Sequence, residues 1–146
     1  MAVKNSKVQS KGAATQNKYA AAIRTEIANK LIEHIASHGR EFFKENGVIA
    51  YLERDRHGKV WFHDSASMKR VYTHYNGRWR GFSHGGTLQG LIQLLRNYIT
   101  KGQKISIKYI CTKRFDNKSN TWGYTEQAAE DLVNAVKHLP IFTTTN

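Results

Sequence analysis

His63, Asp64, His74 and His84 lie close together in the chain, and a histidine beside a carboxylate is the least that acid–base attack on a phosphodiester needs. The rest of such a site is missing. No His-x-Thr or His-x-Ser pattern occurs twice, and Asp64 is the one acid between Arg56 and Arg114, which is too few carboxylates for a magnesium centre. Cys111 is the sole cysteine, so neither a disulfide within the chain nor a cysteine metal cluster can form. His34 and His38 stand one helical turn apart but have no third ligand near them in sequence. The expectation is a protein without catalytic residues, metal or cofactor. The alternative is a phosphodiester-cleaving enzyme that uses His74 or His84.

A second pattern is Ser83-His84-Gly85-Gly86-Thr87, a glycine turn between a predicted strand and a predicted helix. Free amides and the helix dipole make such a turn an anion site, for the phosphate of a small ligand or of a nucleic acid. It lacks the Gly-Lys-Ser or Gly-Lys-Thr of a P-loop. Positive backbone angles alone would also call for its glycines.

Cations give the strongest signal. The chain carries a net charge of +12, and the stretch from Arg56 to Arg114 holds twelve Lys and Arg against the single Asp64. Almost the whole excess therefore lies in one block, which reads as a footprint for a polyanion. Lys69, Arg70, Arg78, Trp79, Arg80, Lys104, Lys108, Lys113 and Arg114 are the expected nucleic-acid-binding residues, with cations for phosphates and an aromatic ring for bases. The competing view of Trp61, Trp79 and Phe82 makes them the core face of the sheet, with the cations merely solvated.

These residues need a scaffold. Its 146 residues suit one domain, and its composition is that of a folded protein. Residues 1–17 are small, polar and basic without periodicity, and are expected to form a flexible arm ahead of a single domain at 18–146. Tyr19, Ile23, Ile27, Leu31 and Ile35 recur every fourth residue, which predicts a helix. That helix either runs on or restarts before Asn46-Gly47, a pair suited to a left-handed cap. Residues 48–82 predict an antiparallel meander of three to four strands, with Asn76-Gly77 turning the last hairpin into Arg78–Phe82. Leu88 to Ile99 predict a helix ended by Lys101-Gly102, and Ile105, Ile107 and Tyr109 alternate as a strand. A last helix is capped by Thr125 and stopped by Pro140. The fold class is α+β: helix, meander, helix, strand, helix. No apolar run is long enough for a membrane span and no signal peptide is evident, so a cytoplasmic protein is expected.

The run Trp79-Arg80-Gly81-Phe82-Ser83-His84-Gly85-Gly86-Thr87-Leu88, with Leu95-Arg96-Asn97-Tyr98-Ile99, Gly102 and Trp122-Gly123-Tyr124, resembles small uncharacterised proteins of phages and prophages. The resemblance covers the C-terminal half. It implies a bacterial host cytoplasm and an accessory role, either on DNA or RNA or against a host protein or defence signal. It carries over no site residues.

Overall fold

The computed structural model describes the backbone of residues 2–111 and 125–143, with side chains for 17–110 and 125–143. Helix α1 spans Ala2–Ser37. The helix takes in residues 2–17 of the segment expected as a flexible arm, in keeping with the alanines, lysines and glutamines there and the lack of proline. Burial of the apolar stripe starts late: Tyr19 and Ile23 are exposed, whereas Ala28, Leu31, Ile32 and Ile35 are fully buried.

Neither Asn-Gly pair takes the role expected of it. Asn46 and Gly47 both have positive φ, 50° and 79°, and form the two-residue turn between β1 (Lys44–Glu45) and β2 (Val48–Ile49). Asn76-Gly77, read as the hairpin turn, is only a bend, and Arg78–Phe82 is not a strand. The Asn-Gly preference for left-handed geometry holds at 46–47. At 76–77 the chain downstream is drawn off to other partners.

The central sheet is antiparallel in the order β3 (Tyr51–Arg54), β4 (Val60–His63), β5 (Arg70–Tyr72). Its register pairs Leu52 with Phe62 and Phe62 with Val71, and these three with Val60 form the buried face. Alternation places Tyr51, Glu53, Trp61, His63, Arg70 and Tyr72 on the opposite face. Helix α1 packs along β3 and α2 along β4. The outer edge of β3 is closed by Asn29 of α1, whose Nδ2 donates to the Leu52 carbonyl at 2.9 Å while its Oδ1 accepts from the Leu52 amide at 2.7 Å.

Helix α2 (Gly86–Lys101) buries Leu88, Leu91, Ile92, Leu95, Tyr98 and Ile99, and Gly102 ends it at φ 73° with its amide on the Tyr98 carbonyl. The strand expected at 105–109 is absent. Ile105 makes a single bridge to Phe142, and the chain then turns into α3 (Lys108–Cys111), with the Ser106 hydroxyl accepting from the Lys108 amide. Thr125 caps α4 (Glu126–Val136) by accepting from the Ala128 amide. That helix ends at Val136, before Pro140, and Leu139, Ile141 and Phe142 return to the core. One apolar cluster joins α1, the sheet, α2 and α4. The protein is α+β.

Candidate nucleic-acid interface

Asp64 organises the basic region. It is 2% exposed at the end of β4, and its carboxylate accepts from the amides of Ala66, Ser67 and Ser83 and from the Ser83 hydroxyl. Burial pushes its carboxyl upward, but those donors outweigh burial and hold it below the ordinary range. The Ser67 hydroxyl also donates to the Gly81 carbonyl at 2.6 Å. The β4–β5 turn and the segment through 83 are thereby tied together. At Gly81, φ is 86°, and an added Cβ would lie 3.1 Å from the Lys69 side chain.

This tie brings Lys69, Arg70, Arg78 and Arg80 around one groove. Part of it, about 530 Å³, is lined by Trp61, Arg70, Tyr72, Tyr75, Arg78, Trp79 and Arg80. The adjoining part, about 510 Å³, is lined by Lys69, Arg78 to Gly81 and Phe82. No carboxylate lines either part. All four cations are exposed. The Arg70 guanidinium carbon stands 3.7 Å from the Trp61 ring centre, and the Trp61 and Tyr72 rings are 5.0 Å apart. Tyr75 is 61% exposed.

Trp79 corrects the sequence reading. It is 3% exposed, donates its indole N–H to the Tyr75 carbonyl at 2.9 Å and meets Phe82 edge-on, so it forms the groove's buried wall and cannot stack on a base. The ring on the open face is Trp61, half-buried, whose indole N–H donates to Asp55 at 2.9 Å. That bond and the Lys59 and His57 amides hold Asp55 at about 2.

The glycine turn is largely spoken for. Ser83 gives its amide and hydroxyl to Asp64, and His84 is packed among Phe43, Phe62 and Phe82, with Nε2 4.0 Å from Asp64. Burial lowers the His84 pKa against the opposing pull of Asp64 and Glu45, which favours the neutral ring. Gly85, Gly86 and Thr87 are exposed at the start of α2, where Gly85 supplies no side-chain cap and the Thr87 carbonyl accepts from the Tyr109 hydroxyl.

The histidines do not converge. His63 stacks on Tyr51 at 4.2 Å and meets Glu53 at 3.1 Å, while His74 accepts from the Val60 amide. The His38 ring is engaged with the His34 carbonyl. Among the described residues no three His, Cys, Asp or Glu form a group able to hold a metal. Lys104, after α2, and Lys108, the first residue of α3, are exposed and do not line the groove, and Lys113 and Arg114 lie outside the described residues.

The sequence model of the YoqU family matches residues 19–146. This chain belongs to the YoqU family. The YoqU match is wider than the C-terminal half that carries the phage-protein resemblance, and it takes in the sheet and every residue of the groove. No curated protein and no solved structure matches the chain. Among the described residues no helix is long and apolar enough to cross a membrane.

A smaller cleft of about 340 Å³ lies elsewhere, lined in part by Arg24, Arg54 and Lys101. Of these, only Lys101 belongs to the basic block from Arg56 to Arg114. Arg24 has a structural task, donating from Nε to the Ile99 carbonyl in the last turn of α2.

Proposed function

We propose that this protein binds nucleic acid without cleaving it, through the groove beside β5. The observation that carries this reading is the gathering of Lys69, Arg70, Arg78 and Arg80 with Trp61, Tyr72 and Tyr75 around one groove whose lining has no carboxylate. Cations there meet phosphates, and rings meet bases. A binding role without chemistry is favoured because His63 and His74 have separate partners and His84 is packed among Phe43, Phe62 and Phe82.

Membership of the YoqU family, together with the resemblance to phage proteins, supports a phage or mobile-element accessory factor acting in a bacterial cytoplasm. The test is a salt titration of binding by fluorescence anisotropy. Four phosphate contacts give a slope of log affinity on log salt of roughly −3. Absence of binding to DNA and RNA at low salt would overturn the reading.

A further inference from the structure

Resting on that reading, we infer that the groove takes a single strand, with unpaired bases on the open face of the sheet and phosphates along its β5 side. The open face offers ring surfaces that base pairing would leave unused. Helices α1 and α2 pack against the sheet from its buried face. The Arg70 guanidinium lies over the Trp61 ring at 3.7 Å, and Tyr72 stands 5.0 Å from that ring at an angle of 56°, so the guanidinium plane, Tyr72 and the exposed Tyr75 offer separate stacking surfaces along the groove. In a duplex only base edges and phosphates can be reached, so the flat faces of these groups would meet nothing. In a single strand every base has a face to stack.

The charge across the sheet sets the strand's course. Lys69, Arg70, Arg78 and Arg80 flank β5, whereas Glu53 on β3 stands opposite Trp61 in register and Asp55 holds the Trp61 indole from the β3–β4 turn. Phosphates are drawn to the β5 side, where the four exposed cations gather along a lining without carboxylates. The bases then point inward over Tyr72 and Trp61, toward carboxylates that can accept from exocyclic amines.

The experiment compares the full chain's binding to short single-stranded DNA, single-stranded RNA and blunt duplex DNA at one salt concentration. The variants are Tyr72→Leu, Tyr75→Leu, the double variant Arg78→Gln/Arg80→Gln, and Arg54→Gln as a charge control outside the groove. Circular dichroism melts confirm folding. Single strands are expected to bind roughly tenfold or more tighter than duplex. Each Tyr variant loses about tenfold on single strands, with its salt slope and duplex affinity unchanged. The double variant flattens the salt slope on every ligand, and Arg54→Gln does so less. Equal affinity for duplex and single strands, with the Tyr variants silent, would overturn the single-strand inference and leave phosphate binding standing. No binding to any nucleic acid would overturn both. Between the two single strands, a preference for RNA or DNA identifies the natural ligand's sugar, and either preference supports the inference.

Discussion

The Arg70 guanidinium lies 3.7 Å from the centre of the Trp61 ring, across the β4–β5 pair. An exposed cation–π contact of this kind contributes about 0.5–1 kcal/mol to stability, so its larger value is as a planar surface held in place for a ligand. Arg70→Lys keeps the charge and loses the plane. It is expected to leave the salt slope of nucleic-acid binding intact while lowering affinity, and Arg70→Ala to reduce both. Anisotropy across a salt series separates the two.

Asp64→Ala removes the acceptor for three amides and a hydroxyl in a buried site. A loss of about 3 kcal/mol or more in urea unfolding is expected, since hydrogen bonds to a charged group contribute about 1.5–3 kcal/mol each and do not add fully. Because the folded pKa is depressed, Asp64 stabilises the protein above the unfolded carboxyl value of about 4, and this is lost as pH falls through the folded value. A stability profile from neutral to acid pH should show a smaller acid decline in Asp64→Asn than in the parent.

His84 gives a second pH dependence. Burial among Phe43, Phe62 and Phe82 lowers its pKa in the fold, so the unfolded chain binds the proton more readily. Stability therefore declines as pH falls below about 6.5. His84→Phe keeps a ring in that cluster and should remove its share of the decline, visible as a difference between the two proteins' melting profiles from pH 7.5 to 5.5. His34 and His74 also titrate low from burial, so only the difference is diagnostic.

Gly81→Ala places a Cβ 3.1 Å from Lys69 at a φ of 86° that L residues disfavour. A destabilisation of roughly 1–2 kcal/mol is expected. Lys69 would be displaced from the groove, so single-strand affinity should fall as well. Calorimetry and anisotropy on the same preparation test both.

Where the residues carried local instructions, the sequence was readable. Thr125 and Gly102 cap their helices as read, and the apolar spacing from Leu88 to Ile99 is the buried face of α2. Lys69, Arg70, Arg78 and Arg80 do meet at one groove. What failed were features decided by distant partners. Asn76-Gly77 carries a strong hairpin signal, but the chain beyond it is held by Asp64 and by the Gln89 carboxamide, which donates to the Gly77 carbonyl. Alternation at Ile105, Ile107 and Tyr109 is too short a run to outlast the turn that Ser106 starts. Trp79, expected to meet bases, is buried as the competing view has it, while Trp61, which that view places in the core, lies on the open face. Strict alternation from Val60 through His63, anchored by the Asp55 to Gly58 turn, was the available sign that Trp61 faces outward.

Asn29 grips both backbone groups of Leu52 from outside the sheet. A carboxamide has the same donor and acceptor pair as a peptide unit, so this side chain stands in for one residue of a neighbouring strand. The three-stranded sheet is consequently closed on that flank to recruits from other molecules. Asn29→Leu would reopen it, and the protein would gain a concentration-dependent tendency to join edge to edge, detectable by light scattering at high protein concentration. A binding face as open as this one depends on the adjacent margin being sealed.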